Sequence, residues 1–151
     1  MPVSEYVTEI RRHIGTQLLM LPGVTAVITN EHGEYLLARH VDGDRWGFVG
    51  GAVEPREEPR DALIREVREE LGTEVEVHSI LGAYGGPDLV TTYDNGDVVA
   101  YVTTAYRCRI LGAPELEPEE LSQAGWFDAP SIPALPRFEW IDRVIADAER
   151  S

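Results

Sequence analysis

The chain of 151 residues is long enough for one domain with its own apolar core, and its 43% apolar and 26% charged residues are ordinary for a globular protein. Acidic side chains outnumber basic ones by 27 to 13, for a formal net charge of −14 at pH 7. This balance argues against a protein that binds duplex DNA or long RNA, since such binding depends on cationic side chains that neutralise phosphates. A phosphorylated ligand would need a local device, such as a metal ion, to offset the repulsion.

The single cysteine, Cys108, excludes an intramolecular disulfide and a cysteine-based zinc cluster. Its apolar, alternating surroundings predict a buried and inert thiol. The first twelve residues lack the features of a signal peptide, and no run approaches the roughly 20 apolar residues that span a bilayer. We therefore expect a cytoplasmic protein.

The chain opens with a predicted amphipathic helix over about residues 3–16. Its apolar positions, at helical spacing, are Tyr6, Val7, Ile10 and Ile14. We expect this helix to pack on the domain or on a partner subunit, and the second case predicts a homodimer.

Two strands are predicted next, over residues 24–29 and 35–39. Gly23 introduces the first of them, and the turn at residues 31–34 lies between the two, which indicates a hairpin. A polar loop over residues 41–45 then leads to Trp46 and to the pair Gly50–Gly51.

The clearest helix covers residues 59–71, with Pro59 in its first turn and Gly72 as its C-terminal stop. Strands are predicted over residues 75–81 and from residue 91, and the turn at residues 94–97 joins the latter to a long alternating strand that contains Cys108. An acidic loop over residues 114–120 and a last helix over residues 137–148 complete the chain. The buried stripe of that helix is predicted to be Trp140, Ile141, Val144 and Ile145. Strands and helices mix without regular alternation, which predicts a single α+β domain over residues 1–151.

The helix over residues 59–71 has two distinct sides. Its apolar arc contains Leu63, Ile64, Val67 and Leu71, and a neighbouring arc contains Glu66, Glu69 and Glu70. Carboxylates three and four residues apart repel one another, and the helix dipole disfavours them in its C-terminal half. A bound cation would resolve this repulsion, although a solvated acidic surface remains the alternative for the helix taken alone.

The segment GAVEPREEPRDALIREVREELGT, residues 51–73, resembles the Nudix box. The matching residues, all at the required spacing, are Gly51, Glu57, Arg65, Glu66, Val67, Glu69, Glu70 and Gly72. Three positions depart from the pattern: Thr73 replaces an aliphatic residue, Arg56 a common glycine and Val49 a common proline. The hairpin before Trp46, the pair Trp126–Phe127 and the closing helix extend the resemblance loosely over most of the chain. It implies a Nudix-type α/β/α sandwich, with a mixed curved sheet between helices.

The resemblance also implies the roles of the residues. Glu66, Glu69 and Glu70 would hold Mg²⁺ or Mn²⁺, with the backbone carbonyl of Gly50 as a further candidate ligand. Glu57 and Arg65 would form a supporting pair that fixes the loop against the helix. The general base stays open among Glu70, Glu119 and Glu120, with Glu120 preferred over its neighbour by position.

Three residues are candidates for contacts with a substrate. Arg39 could reach a phosphate, although a surface arginine is an equal alternative. Trp46 and Tyr93 could stack on a base, although core packing is the stronger interpretation for Trp46.

The function implied by the resemblance is a metal-dependent pyrophosphohydrolase. It would cleave the diphosphate linkage of a nucleoside diphosphate joined to a group X, or of a nucleoside triphosphate. One alternative is a non-catalytic nucleotide sensor, which the complete set of box carboxylates disfavours. Another is an RNA-end pyrophosphohydrolase, which the charge of −14 disfavours.

Overall fold

The computed structural model describes residues 4–151. Its helices are α1 (Glu5–Ile14), α2 (Pro59–Leu71) and α3 (Ile141–Arg150). Its strands are β1 (Leu19–Ile28), β2 (Tyr35–His40), β3 (Trp46–Gly47), β4 (Val49–Ala52), β5 (Val75–Tyr84), β6 (Val90–Thr92), β7 (Val98–Ile110) and β8 (Leu121–Phe127). Short 3₁₀ helices lie at Pro87–Leu89 and Ala129–Ala134.

The strands form two sheets. The larger one has the order β4-β1-β7-β5, and β6 also pairs with β7. Within it β1 and β7 are parallel and the other pairs are antiparallel, so the sheet is mixed. The smaller, antiparallel sheet has the order β3-β2-β8.

Two apolar cores lie on either side of the larger sheet. One joins α2 to side chains such as Val24 and Ala26 of β1, and the other joins α3 to side chains such as Val27 and Ala105. Neighbouring residues of a strand face opposite ways, so Ala26 and Val27 belong to different cores. The expected arrangement of helices around a mixed sheet is confirmed.

Helix α2 begins and ends where the sequence predicts. Pro59 occupies its first turn, and Gly72 adopts the left-handed conformation with φ of 61°. Its predicted apolar arc is buried, since Leu63, Val67 and Leu71 are each fully covered. This burial fixes α2 against β1 and β4, and with it the direction of the acidic side chains.

The predicted hairpin of residues 24–39 is wrong. β1 belongs to the larger sheet and β2 to the smaller one, and only the isolated bridge between Thr29 and Tyr35 joins them. β1 is also longer than predicted, because it pairs with β7 from Leu19 to Ile28, so Gly23 lies inside the strand. Pairing along ten residues, buried on both faces at its centre, outweighs the local turn signal.

The last helix also begins later than predicted, at Ile141 instead of residue 137. The preceding segment is held against β3, because the amide of Trp46 donates to the carbonyl of Pro136 and the amide of Phe138 donates to the carbonyl of Trp46. Trp140 therefore lies before the helix and is only partly buried, whereas the other three predicted stripe residues, Ile141, Val144 and Ile145, are buried.

Other predictions fare better. The turn at residues 94–97 joins β6 and β7 as an antiparallel hairpin. β5 runs three residues past its predicted end, to Tyr84. Cys108 is buried, and its burial raises the pKa of the thiol to about 12, as expected for an inert cysteine.

The N-terminal helix is present at Glu5–Ile14, while residue 3 of its predicted span lies outside the described residues. None of its residues is buried, so it does not pack into the domain as α2 and α3 do. Within residues 4–151, no helix combines the length and the apolar character needed to cross a membrane.

Candidate active site

The buried side of α2 carries two carboxylates as well as its apolar residues. Glu66 is fully covered and Glu70 is 2% exposed. Glu69 lies on the outer side, with 46% of its side chain exposed. The acidic arc predicted from the sequence therefore divides into a buried pair, four residues apart, and one exposed member.

The glycine pair Gly50–Gly51 allows two close approaches, of Glu66 to Gly51 and of the β1 backbone to Gly50. A Cβ atom on Gly51 would lie 2.4 Å from Oε1 of Glu66, and one on Gly50 would lie 2.1 Å from the carbonyl oxygen of Val24. Both glycines belong to β4, in register with β1, and so they form neither a flexible loop nor a bend that ends a strand. Gly51 is needed because the carboxylate of Glu66 rests directly on the strand backbone, and Gly50 because the carbonyl of Val24 leaves no space for a side chain.

Arg65 and Glu57 form a bidentate ion pair. Nε of Arg65 donates to Oε2 of Glu57 at 2.8 Å, and Nη2 donates to Oε1 at 3.0 Å. Arg65 also donates to the carbonyl of Ala52 at 3.1 Å and to Oε1 of Glu66 at 2.9 Å. These bonds hold the pKa of Glu57 below its usual value, so this carboxylate is ionised at neutral pH. The guanidinium thereby ties the loop before α2, the end of β4 and the first buried carboxylate together.

The buried carboxylates of Glu66 and Glu70 lack part of the hydrogen bonds that they could accept. Within the described part of the chain, Oε2 of Glu66 and Oε2 of Glu70 are buried without a hydrogen-bond partner. Burial raises the pKa of Glu66 to about 7, although Arg65 opposes this shift. Burial, followed by repulsion from Glu66, raises the pKa of Glu70 to about 9. Buried carboxylate oxygens that lack a partner are suitable ligands for a hard divalent cation, so the pair fits Mg²⁺ or Mn²⁺.

The third predicted ligand is not assembled with the other two. Among residues 4–151, no three His, Cys, Asp or Glu side chains are placed so that they could hold a metal ion. Oε2 of Glu69 instead accepts a bond of 3.4 Å from Arg65. Glu69 would have to leave this contact to join the pair, so the three-glutamate set remains a prediction.

The acidic loop, residues 114–120, lies against the C-terminal end of α2. The amide of Glu117 donates to the carbonyl of Glu70 at 3.1 Å, and the amide of Glu115 donates to the carbonyl of Leu71 at 2.7 Å. These bonds satisfy helix carbonyls that would otherwise lack partners. The backbone of the loop that bears Glu119 and Glu120 is thus anchored on the same helix turn as Glu70, which the sequence did not indicate.

Arg39 and Trp46 face each other across β2 and β3. The guanidinium carbon of Arg39 lies 5.4 Å from the centre of the Trp46 ring, and its Nε is buried without a hydrogen-bond partner among the described residues. Trp46 is 7% exposed and packs edge-on against Phe127 at 4.9 Å between ring centres. Core packing is therefore the observed role of Trp46, and Arg39 has a cation–π contact with unused donor capacity.

Tyr93 is 45% exposed and shares a hydrogen bond of 2.9 Å with the hydroxyl of Tyr101 on β7. Burial is the main cause of a raised pKa at Tyr101, Tyr93 adds to it, and the negative charge of Glu66 makes a smaller contribution. The tyrosine pair therefore lies within electrostatic reach of the α2 carboxylates. Tyr101 was not predicted from the sequence as a site residue. The available signal was the alternation of the strand, which places Tyr101 on the face opposite Cys108 and away from the core beneath α2.

Two of the departures from the box pattern, Arg56 and Val49, have clear positions in the structure. Arg56 adopts the left-handed conformation, with φ of 70°, and within residues 4–151 it is the only residue other than glycine to do so. The backbone turn that glycine favours is therefore retained with an arginine in it. Val49 is buried in the core beneath α2.

Comparisons with known proteins establish the family of this chain. The model of the NUDIX domain matches residues 20–148. The RNA pyrophosphohydrolase of Pseudomonas fluorescens (strain SBW25) is 43% identical over 65 residues, which cover 43% of this chain and 41% of that protein. The chain thus matches about two fifths of the length of this curated relative.

Two solved structures are similar over more of the chain. A MutT NUDIX hydrolase from Burkholderia pseudomallei has a TM-score of 0.62 at 28% identity, covering 74% of this chain and 85% of that chain. A UDP-X diphosphatase has a TM-score of 0.64 at 22% identity, covering 91% of this chain and 64% of that chain. The second likeness bears on the fold alone.

The family match extends from β1 to α3 and includes the box residues on β4, the loop and α2. The resemblance predicted from residues 51–73 is thereby confirmed. This chain belongs to the Nudix family.

Proposed function

We propose that this chain is a metal-dependent pyrophosphohydrolase, which cleaves the diphosphate linkage of a nucleoside diphosphate joined to a group X, or of a nucleoside triphosphate. The observation that carries the proposal is the buried pair Glu66 and Glu70, whose Oε2 atoms lack partners beside the glycine backbone of β4. Such a pair costs stability when it is ionised, and the bond from Arg65 to Oε1 of Glu66 compensates that cost only in part. A divalent cation would provide that compensation.

Glu66 and Glu70 would hold the ion, and Glu69 and the carbonyl of Gly50 are the further candidate ligands. When bound, Mg²⁺ or Mn²⁺ neutralises charge on phosphate oxygens and lowers the pKa of a coordinated water. Arg65 would fix the carboxylate of Glu66 in place, because Glu57 already holds the guanidinium of Arg65.

A general base must accept the proton of the attacking water. Glu70 is one candidate, and Glu119 and Glu120 of the acidic loop are the others. The anchoring of that loop on the carbonyls of Glu70 and Leu71 supports all three, because it keeps the loop next to the buried pair.

The substrate side of the proposal rests on Arg39 and Tyr93. Arg39 has a buried Nε with no partner among the described residues, so it retains a donor for a phosphate oxygen. Tyr93 exposes an aromatic ring on which a base could stack. Trp46 is less suited to this task, because it is buried against Phe127.

A second candidate is the removal of pyrophosphate from the 5′ end of RNA, and the name of the Pseudomonas relative favours it. The composition opposes it: the net charge is −14, and all 13 basic residues are arginines, of which several are engaged in ion pairs within the protein. A long RNA would meet few free cations along its backbone.

The test is a panel of ADP-ribose, a sugar nucleotide, a dinucleoside polyphosphate, a nucleoside triphosphate and a 5′-triphosphorylated oligoribonucleotide. Each is incubated with Mg²⁺ or Mn²⁺, and the phosphate-containing products are identified. We expect turnover of at least one small substrate, and this turnover should be lost in Glu70→Gln and kept in Glu31→Gln, which changes an exposed glutamate of a turn.

Two outcomes would redirect the proposal. Turnover of the oligoribonucleotide alone would favour the RNA-end activity. Nucleotide binding by calorimetry, without turnover of any member of the panel, would indicate a sensor and overturn the enzymatic proposal.

A further inference from the structure

Arg11 of α1 is covered, unlike the two basic residues that follow it. Its side chain is 12% exposed, whereas those of Arg12 and His13 are 70% and 76% exposed. Covering a charged group costs free energy unless the group is paired and hydrogen-bonded. The contacts of Arg11 must therefore compensate for the solvation that its guanidinium loses.

Those contacts connect the end of α1 to the hairpin of β6 and β7. Nη1 of Arg11 donates to the carbonyls of Gly15 and Gln17, in the segment that follows the helix. Its Nη2 donates to the carbonyl of Val98 at 2.9 Å, and its Nε lies 3.6 Å from Oδ2 of Asp97. Asp97 and Val98 lie where the turn of the hairpin meets β7, so one guanidinium joins two segments that are distant along the chain.

Thr16 joins the same two segments through further contacts. The amide of Val98 donates to the carbonyl of Thr16 at 3.3 Å. The side chain of Thr16 also lies against Gly96, where a Cβ atom would be 3.5 Å from its Cγ2. Gly96 has a φ of 92°, a conformation that glycine adopts without strain. The segment after α1 and the turn of the hairpin therefore form one packed unit.

The turn of this hairpin also holds Tyr93. The amide of Tyr93 donates to the carbonyl of Asp97 at 2.8 Å, and the amide of Gly96 donates to the carbonyl of Tyr93 at 2.9 Å. The hydroxyl of Tyr93 shares its bond of 2.9 Å with Tyr101, whose pKa the nearby charge of Glu66 helps to raise. Asp97 thus pairs with Arg11 through its side chain and holds Tyr93 through its backbone, close to the carboxylates of α2.

We propose that Arg11 is a positioning residue, which holds the β6–β7 hairpin so that the ring of Tyr93 stacks on the base of a nucleotide bound at Glu66 and Glu70. This inference rests on the proposed function, because Tyr93 has this task only if a nucleotide binds there. A ring that is 45% exposed and already held in place loses little conformational freedom when a base stacks on it. Without Arg11, the nucleotide would have to order the hairpin as it binds.

The first test needs no ligand. Hydrogen exchange at the amides of Tyr93 and Gly96, followed by NMR, measures how often the turn of the hairpin opens. Arg11→Ala should speed exchange at both amides by about tenfold or more, because it removes charged hydrogen bonds that close the hairpin. Arg12→Ala is the matched control, since Arg12 is the next residue of α1 and pairs with Glu9 of the same helix. It should leave the exchange unchanged.

The second test separates positioning from a general loss of stability. With the best nucleotide substrate of the panel above, Arg11→Ala should raise KM by about five- to fiftyfold and leave kcat within about threefold, because stacking on the base acts equally in the ground state and the transition state. Arg11→Lys should give an intermediate KM, since an ammonium keeps the charge beside Asp97 but lacks the fork of donors. The double variant Arg11→Ala, Tyr93→Ala should have the KM of Tyr93→Ala alone, because Arg11 acts through Tyr93.

Three results would overturn this role of Arg11. The first is exchange at Tyr93 and Gly96 that Arg11→Ala leaves unchanged. The second is an Arg11→Ala protein that thermal melts show to be folded and that keeps the KM of the unmodified protein. The third is a double variant whose KM lies well above that of Tyr93→Ala, which would mean that Arg11 acts by another route.

Failure of the proposed function has a different signature. If the unmodified protein turns over no member of the panel, the enzymatic proposal fails, and the dissociation constant of ADP, measured by calorimetry, takes the place of KM. Weaker binding of ADP to Arg11→Ala than to Arg12→Ala would still support the positioning role. Equal binding to the two variants, or binding to neither, would overturn it as well.

Discussion

Helices α1 and α2 have similar amphipathic patterns and opposite surroundings. α2 buries four apolar residues and two glutamates beneath its inner face, whereas α1 buries none of its ten residues. The difference arises from what lies opposite each helix: α2 meets the centre of the mixed sheet, and α1 is tied to the end of β7 through Arg11. Periodicity thus predicts a helix and its apolar side, but whether that side is buried depends on the rest of the fold.

The largest expected effect concerns the function of the buried face of α2. Glu70→Gln removes a negative charge from the pair and should lower turnover by roughly 10²–10⁴-fold. The fold should remain intact, because glutamine has nearly the same volume and no charge to desolvate. Turnover at saturating Mg²⁺ and the circular dichroism spectrum check both parts. A rate within a few-fold of the unmodified protein would show that the buried pair is not the catalytic centre.

The second prediction compares the packing of the two helices directly. Leu63→Ala in α2 should lower the free energy of unfolding by about 2–5 kcal/mol, because Leu63 is fully buried. Ile10→Ala in α1 should lower the free energy of unfolding by no more than about 1 kcal/mol, because Ile10 is only partly buried. Urea denaturation at low protein concentration measures both. Equal losses would mean that α1 is part of the monomer core.

The third prediction is a pH dependence of the metal-free protein. The folded-state pKa values of Glu66 and Glu70 are raised, to about 7 and about 9, so the folded state binds more protons than the unfolded chain. Their stabilising contribution is full below the unfolded pKa near 4.5 and is lost as the pH rises through the raised values. We expect the free energy of unfolding to fall by more than about 2 kcal/mol from pH 5 to pH 9.

Chemical denaturation with a chelator present measures this dependence. The double variant Glu66→Gln, Glu70→Gln should show a much flatter profile. Mn²⁺ added in excess over the chelator should restore stability at pH 9 in the unmodified protein only. Parallel profiles for the two proteins would refute the assignment of the pH dependence to this pair.

The smallest expected effect concerns the strand beneath α2. Gly51→Ala should cost about 1–3 kcal/mol, because its methyl group would lie 2.4 Å from Oε1 of Glu66 and must displace it. Gly43→Ala is the control, since a methyl group there meets no atom within 4 Å. Thermal melts and Mn²⁺ titrations of both variants check stability and metal binding. Normal Mn²⁺ affinity in Gly51→Ala would mean that the position of Glu66 does not matter for the ion.

Local signals were reliable where one short segment contains all the information. Pro59, Gly72 and the apolar arc between them predict α2 to the residue, since caps and periodicity are properties of the helix itself. The turn at residues 94–97 predicts the β6–β7 hairpin for the same reason. The spacing of the Nudix box predicts that Glu57 and Arg65 form a pair, and in the structure they form a bidentate ion pair.

The pairing between strands that are distant along the chain could not be predicted from the sequence. Residues 31–34 do form a turn, as the sequence predicts. However, β1 pairs with β7 and β4 in the larger sheet, so β2 belongs to the other sheet. Likewise the amides that hold residues 136–138 against β3 delay the start of α3. The pairing of β1 with β7 and the contact of residues 136–138 with Trp46 each join residues more than 70 positions apart along the chain.

The sequence by itself determined the family, the position of the acidic helix and the list of candidate carboxylates, because spacing along one helix is fixed by its own geometry. Only the tertiary structure decided that Glu66 and Glu70 are buried, each with an oxygen that lacks a partner, while Glu69 is exposed, and that no residue of α1 is fully buried. The physical reason is that the burial of a side chain depends on the elements that pack around it. Glu66 can be buried because β4 pairs with β1 and places Gly51, which has no side chain, beneath its carboxylate.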